Sequence, residues 1–282
     1  MLAGGGTGRL SPPAGMTTAT NTVITAPGSI NTKGAWTQLS SSLPFDVCGI
    51  LVNYQDSGGS VDGWLLFDIG IGSSGNEWPV IENVFNMNMD VSTSGSIGNF
   101  GAKFFPVNLR AGARLSARQQ VNTLSGKVAN LSVSLFGVPP GGLQGGSRII
   151  AIGADTANSR GTVVGPASST AWGSWVELTA SCPAQIVAIM PYCFNVQAVT
   201  VANVRSALDI ALGASGSEFP LVERLVSVAD KSNNKCTGGV NMAPSAWLPC
   251  NIPAGARVSA RMKHSVSEAN TANDVILYGL VA

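Results

Sequence analysis

The stretch Asp68-Ile-Gly-Ile-Gly-Ser-Ser-Gly-Asn-Glu-Trp-Pro79-Val-Ile-Glu82 decides the fold of this chain, because it occurs twice. Its second copy, Asp209-Ile-Ala-Leu-Gly-Ala-Ser-Gly-Ser-Glu-Phe-Pro220-Leu-Val-Glu223, follows about 140 residues later. In both copies a short apolar segment runs into a glycine-rich turn and then into a second apolar segment. Similarity at a fixed spacing is the sequence signature of an internal duplication.

Other blocks repeat in the same order on either side of this stretch. They are 27–44 with 166–183, 106–118 with 249–261, and the closing segments 131–137 with 275–279. A segment rich in Gly and Pro separates the two copies and has little to bury. We therefore predict a flexible N-terminal arm at 1–15, a first domain at 16–138, a Gly/Pro linker at 139–146 and a second domain at 147–282.

Within each copy the pattern is that of β-strands. Residues 114–120 and 257–263 alternate between polar and apolar at period two, and the other apolar runs are short and bounded by turn residues. Only 78–85 and 219–228 carry a weak helical periodicity. This pattern predicts an all-β fold of two tandem, internally duplicated β-sandwich domains of jelly-roll-like type. An immunoglobulin-like topology stays open as the alternative.

The composition predicts that other protein subunits cover much of the surface of this chain. Hydrophobic residues make up 45% of the chain and charged residues 11%, less than half of the roughly 25% usual for soluble domains. A surface so poor in charge favours self-association, so we expect a homo-oligomer. The net charge of +1 argues against binding to nucleic acid or to an anionic membrane. No run approaches the roughly 18 apolar residues of a membrane span, and residues 1–15 lack the features of a signal peptide.

Two features invite a catalytic or cofactor interpretation. Gly70-Ile-Gly-Ser-Ser-Gly75 matches the dinucleotide-binding pattern, but the second copy has Ala211 for its first glycine, and Pro79 stands where a phosphate-binding helix would begin. The single histidine, His264, has Val121 as its counterpart, and the chain contains no zinc-ligand spacing. We therefore predict a tight turn and a structural histidine, with no catalytic residue, metal or cofactor.

The five cysteines favour a chain made in a reducing cytoplasm. Three of them stand where the other copy has an apolar residue, which is typical of small buried hydrophobes: Cys48 against Val187, Cys182 against Leu43 and Cys250 against Val107. Cys193 and Cys236 have no counterpart, and would form a disulfide only if the fold brought them together.

Acidic and basic residues recur together in the two copies. The acids are Asp68, Glu77 and Glu82 with Asp209, Glu218 and Glu223, and the arginines are Arg114 and Arg118 with Arg257 and Arg261. A pair of carboxylates flanking a cleft could hydrolyse a glycosidic bond. Because charge is scarce and the two signs recur together, we instead predict structural ion pairs. Arg118 and Arg261 would each bind a recurring carboxylate of their own domain or of a neighbouring subunit.

Large side chains also recur, as Trp36 with Trp175, Trp78 with Phe219 and Phe105 with Leu248. Such positions indicate core or interface packing, while stacking of an aromatic ring on a sugar is the alternative.

The segments 68–77 and 105–118, with their second copies, resemble repeats of uncharacterised structural proteins of tailed bacteriophages. The resemblance implies a non-enzymatic virion component, either a capsid decoration or head-spike protein or a tail, baseplate or fibre protein. It would be made in the host cytoplasm and dock on other virion proteins. A trimer of two-domain chains would present six similar modules to a sixfold neighbour. The alternative is a carbohydrate-binding or receptor-binding module for host-surface glycan.

Overall fold

The computed structural model describes residues 22–56, 63–88, 103–124, 129–137, 145–168, 170–194, 204–232, 235–238, 247–265 and 272–282. Every regular element in these ranges is a β-strand, and nearly all pairing is antiparallel, which confirms the predicted all-β fold. The predicted arm at 1–15 and residues 139–144 of the predicted linker lie outside the described ranges. Among the described residues, no helix is long and apolar enough to cross a bilayer.

The chain divides into two compact units, and the division falls within one strand. The first unit runs up to Ile150 and includes Ala157–Ser159, and the second unit contains Ala151–Thr156 and Arg160–Ala282. The domain boundaries predicted from the sequence, at 138 and 147, stay predictions.

The first unit contains two antiparallel sheets. Its strands are β1 (Thr22–Ile24), β2 (Thr37–Ser40), β3 (Gly49–Asp56), β4 (Gly63–Ile71), β5 (Trp78–Asn88), β6 (Lys103–Phe105), β7 (Leu115–Val121) and β8 (Ala129–Phe136), and β9 (Arg148–Ile152) begins in it. One sheet has the order β1-β8-β3-β6. In the other, β7 pairs with β2 and β4, and β4 pairs with β5.

The second unit pairs its strands in the same order. Its strands are β10 (Ala154–Asp155), β11 (Arg160–Val164), β12 (Val176–Thr179), β13 (Ile186–Phe194), β14 (Val204–Leu212), β15 (Phe219–Ser232), β16 (Lys235–Gly238), β17 (Leu248–Ile252), β18 (Val258–His264) and β19 (Asn273–Val281). Here β19 pairs with β11 and β13, and β13 also pairs with β17. The other sheet has the order β12-β18-β14-β15-β16.

Each unit has an apolar core supplied by strands of both of its sheets. In the first unit the core includes Ile50 and Phe105 from one sheet and Ile69 and Leu115 from the other, all of them fully buried. In the second unit Tyr278 is fully buried as well. Large side chains packed in this way supply most of the free energy that holds such sheets together.

The two segments with weak helical periodicity are the strands β5 and β15. Extra residues bulge out of β5 between Pro79 and Val84, because Phe67 pairs with Val84 whereas Gly70 pairs with Pro79. In β15 the same kind of bulge lies between Pro220 and Leu225, because Leu208 pairs with Leu225 whereas Ala211 pairs with Pro220. Each bulge interrupts the alternation of a strand, and the interrupted pattern resembles a helical one.

Candidate functional site

A Trp–Arg–Asp cluster lies on one sheet of the first unit and consists of Trp36, Arg118 and Asp68. Antiparallel pairing of β4 with β7 places Asp68 opposite Arg118, with Arg118 Nε 2.9 Å from Asp68 Oδ2. The Arg118 guanidinium carbon lies 4.5 Å from the centre of the Trp36 ring. A cation held between a carboxylate and an aromatic face is attracted by both.

Asp68 also holds the bulge of β5 in place. Its Oδ1 accepts hydrogen bonds from the Asn83 backbone amide at 2.8 Å and from Lys33 Nζ at 2.7 Å. Asn83 has φ of 50°, a left-handed conformation that asparagine tolerates better than most residues other than glycine. The buried carboxylate therefore supplies an acceptor for an amide that the bulge removes from the regular ladder.

The second unit contains the same cluster, formed by Trp175, Arg261 and Asp209. Arg261 Nη2 lies 2.9 Å from Asp209 Oδ2, and the Trp175 ring centre lies 4.4 Å from the guanidinium. Asp209 Oδ1 accepts the backbone amide of Arg224, which has φ of 56°. The cluster and its bulge therefore occur together in both units.

The two clusters differ in one neighbour. Lys33 binds Asp68 in the first unit, and burial lowers its pKa, partly offset by the nearby carboxylate. At the matching position of the second unit, Trp172 lies 4.9 Å from the Arg261 guanidinium. Asp68 therefore neutralises two cations, whereas Asp209 neutralises one.

A second recurring pair anchors the glycine-rich turn of each unit. In the first unit, Arg114 Nη1 lies 2.6 Å from Glu77 Oε1, and Glu77 Oε2 accepts the Gly75 amide at 2.8 Å. These bonds lower the pKa of Glu77. Gly72 and Gly75 have φ of 130° and 84°, so the G-x-G-x-x-G segment forms the end of β4 and the turn that leads to β5.

In the second unit, Arg257 binds two carboxylates. Its Nη1 lies 3.2 Å from Glu218 Oε1, and its Nε lies 2.8 Å from Glu177 Oε2. Burial alone would raise the pKa of Glu218, but its hydrogen bonds from backbone amides and from Arg257 outweigh this and lower it. Glu218 Oε2 accepts the Gly216 amide, as Glu77 accepts that of Gly75.

Two of the ten residues predicted to form ion pairs are placed differently. Glu82 lies 4.0 Å from Arg148 and not beside a recurring arginine, and burial raises its pKa. Glu223 is exposed and forms no salt bridge with any residue that the structure describes. Both lie within the bulges, where the register shift redirects side chains away from the clusters.

His264, Cys182 and Cys193 are buried, whereas Cys48 and Cys250 are half-buried. His264 is 2% exposed, burial lowers its pKa to about 4, and its Nε2 lies 2.9 Å from Met262 Sδ. Cys48, Cys182, Cys193 and Cys250 are free thiols. Burial raises the pKa of Cys250 to about 11, so this thiol is a poor nucleophile at neutral pH. The described ranges contain no group of three or more His, Cys, Asp or Glu side chains placed to hold a metal ion.

Sequence reasoning missed a buried ion pair of the second unit. Arg160 Nη2 lies 2.7 Å from Asp274 Oδ2, and Asp274 is fully buried. Burial raises the pKa of Asp274, while the hydrogen bonds from Arg160 act in the opposite direction. The available signal was an aspartate within an apolar strand, because a charge there requires a partner. Nothing in the sequence identified that partner, since the pair does not recur in the first copy.

Each unit exposes an aromatic side chain where the strand after the glycine-rich turn begins. Trp78 is 50% exposed and Phe219 is 75% exposed. These residues begin β5 and β15 and occupy matching positions. Both rings therefore lie outside the apolar core, and the interface packing that the sequence analysis gave as the other possibility stays a prediction for this pair.

Comparisons with known proteins show only a distant similarity in fold. No protein-family model and no curated protein sequence matches the chain. Two solved structures of PNGF-II, in space groups C2 and P21, match it with TM-scores of 0.39 and 0.38 and identities of 7% and 9%. The match covers 96% and 93% of this chain but 64% of the PNGF-II chain in each case. The chain thus spans less than two thirds of that protein, and a similarity this weak carries no argument about function.

Proposed function

We propose that this chain is a non-enzymatic structural component of a bacteriophage virion that assembles as a homo-oligomer and docks on other virion proteins. The observation that carries the proposal is the exposure of Trp78 and Phe219 at matching positions of the two units. Large aromatic side chains are enriched in the centres of protein interfaces, where they supply most of the binding energy.

The recurring charges support a structural role. Asp68, Glu77, Asp209 and Glu218 each bind an arginine of their own unit, so these carboxylates hold strands and turns together. A glycosidase would instead need two carboxyl groups directed at one substrate bond.

The contribution of each exposed ring can be estimated from its area. Burying about 100 Å² of aromatic surface contributes about 2.5 kcal/mol, which corresponds to nearly a hundredfold in association. A trimer with six such rings would therefore be strongly weakened by their removal.

Sedimentation velocity of the full chain tests self-assembly. We expect an oligomer, with a trimer favoured, over concentrations of about 1 to 100 µM. The double variant Trp78→Ser, Phe219→Ser should dissociate at higher concentrations than the original chain. Ile30→Ser is the matched control, because Ile30 is 51% exposed, as Trp78 is, and lies in a turn outside the strands β5 and β15. A chain that stays monomeric over this range would refute the homo-oligomer.

The virion assignment has a separate test. Phage particles produced by cells that carry the gene would be purified on a density gradient and analysed by mass spectrometry. We expect peptides of this chain at a constant ratio to the major capsid protein. Their absence from infectious particles would refute the virion role, even if the chain were an oligomer.

A further inference from the structure

The second unit contains a cavity of about 420 Å³ where β14 and β18 pair. Two cationic residues, Arg205 and Lys263, line it together with His264 and Thr170. Neither cation forms a salt bridge with a residue that the structure describes. Arg118, Arg160 and Arg261, in contrast, each bind a carboxylate. Two positive charges at one cavity, neither of them paired with a carboxylate of the described residues, produce a potential that attracts anions.

Polar groups in the cavity retain hydrogen-bonding capacity. His264 is 2% exposed, yet its Nδ1 has no hydrogen-bond partner in the described part of the chain. Ser265 Oγ accepts the Arg205 amide at 3.0 Å, and its own proton remains available to donate. A buried nitrogen without a partner is costly, so a polar ligand group that reached it would be stabilised.

The backbone at Thr170 is strained. Thr170 has φ of 66°, a left-handed conformation that is a clear outlier for a β-branched residue, and its amide donates to His264 O at 3.0 Å. Its counterpart in the first unit is Asn31, a residue type that tolerates this conformation. The conformation and its hydrogen bond recur in the first unit, where the Asn31 amide donates to Val121 O at 2.8 Å, so they belong to the fold that both units share.

The first unit shows what occupies the corresponding place there. Trp64, Gln120 and Asn31 stand where the second unit has Arg205, Lys263 and Thr170. Trp64 Nε1 donates to Asn158 O at 2.9 Å, and Gln120 Nε2 donates to Ser159 Oγ at 3.0 Å. Both recipients belong to the Ala157–Ser159 segment of the first unit.

We infer that the cavity bounded by Arg205, Lys263, Thr170 and His264 binds an acidic saccharide through its carboxylate. In the first unit the equivalent residues Trp64 and Gln120 are neutral and donate hydrogen bonds to the chain itself. In the second unit cations replace the neutral residues, so the occupant that fits is anionic and comes from outside the described residues. Arg205 and Lys263 hold the carboxylate, since hydrogen bonds between opposite charges are the strongest available.

The remaining surface of the cavity suits a sugar ring. Its volume lies in the range of small-ligand sites and is large enough for one or two rings. Thr170 and Ser265 offer hydroxyl groups, while Val226, 55% exposed, offers an apolar surface. The Trp172 ring centre lies 5.1 Å from Lys263 Nζ, which limits the positions open to this ammonium group.

Isothermal titration calorimetry of the full chain with D-glucuronate and D-glucose tests the inference, since the two sugars differ only in the carboxylate. At about 50 mM salt, where charges are weakly screened, we expect glucuronate to bind with a Kd of about 1–10 mM. Glucose should bind at least about tenfold more weakly, because it lacks the charge-assisted hydrogen bonds.

The key variant is Lys263→Gln, which introduces the residue that the first unit has at the matching position. It should weaken glucuronate binding by about tenfold or more. Arg110→Gln removes an exposed charge of the first unit and should leave binding unchanged. The inference does not depend on assembly, and a monomeric chain that binds glucuronate would still support it.

Several results would overturn the inference. These are equal affinity for glucuronate and glucose, no heat from glucuronate up to about 100 mM, or unchanged binding in Lys263→Gln. Inorganic sulfate that binds as tightly as glucuronate would show unspecific anion attraction. If the capped peptide acetyl-Ala-Asp-Ala-amide bound more tightly than glucuronate, the cavity would be assigned to a polypeptide segment.

Discussion

Replacing Asp68 by Asn should destabilise the first unit more than Asp209→Asn destabilises the second. The Asp68 side chain is 3% exposed and holds Lys33 and Arg118, which are 20% and 27% exposed. Removing one partner of a buried pair costs about 3–5 kcal/mol, and the partial exposure of both cations reduces this to about 3 kcal/mol for Asp68. Asp209 holds a single cation, so we expect a loss of about 2 kcal/mol there.

Urea unfolding followed by tryptophan fluorescence measures these losses, and peptide-level hydrogen exchange assigns each one to its unit. In Asp68→Asn, faster exchange should concentrate in β4, β5 and β7, the strands that the carboxylate joins. Glu223→Gln is the control, because this exposed residue forms no salt bridge within the described ranges, and its effect should stay within about 0.5 kcal/mol. A loss below about 1 kcal/mol in Asp68→Asn, or an equal loss in Asp209→Asn, would refute the reasoning.

Three further predictions use the same unfolding measurements. In Gly70→Ala the added Cβ would lie 2.6 Å from Trp36 Cη2 and 2.8 Å from Trp78 O, so we expect a loss of about 1–3 kcal/mol; an unchanged midpoint would contradict this. Because burial lowers the pKa of His264 from 6.5 to about 4, the unfolded chain binds more protons between these pH values. Stability should therefore fall by up to about 3 kcal/mol as the pH drops through this window, but not in His264→Gln. Burial likewise lowers the pKa of Lys103 from 10.5 to about 8, so stability should rise by up to about 3 kcal/mol between these pH values. That rise should disappear in Lys103→Met, and an identical pH profile for variant and original chain would contradict the prediction.

The sequence predicted the strands well because alternation and turn residues are local properties. Residues 114–120 and 257–263 alternate cleanly, and β7 and β18 lie there. The glycine-rich turns were likewise visible, since Gly72 and Gly75 take left-handed conformations that their local sequence favours. The weak helical pattern of β5 was misleading because a bulge depends on the neighbouring strand, which no local pattern contains.

The candidate site could be predicted only where it recurs. Comparing the two copies singled out Arg118 and Asp68, although it could not show that Arg118 would also lie over the Trp36 ring. Lys33 and the cavity at Lys263 were missed because they belong to one unit only. The position of Lys33 beside Asp68 and the cavity between β14 and β18 both depend on contacts between segments far apart in the chain, which local sequence patterns do not contain.

The bulged strand β5 has a consequence for how newly made chains behave at high concentration. Among the described residues, β5 pairs along its length with β4, and on its other side only by a single parallel bridge between Ile81 and Ile149 of β9. A flat, weakly charged strand in that position would offer a template for fibril-like stacking of chain on chain. The irregular backbone between Pro79 and Val84 prevents a foreign strand from pairing along its length. Chains that assemble as proposed would thus stay dispersed in the crowded host until their intended neighbours arrive.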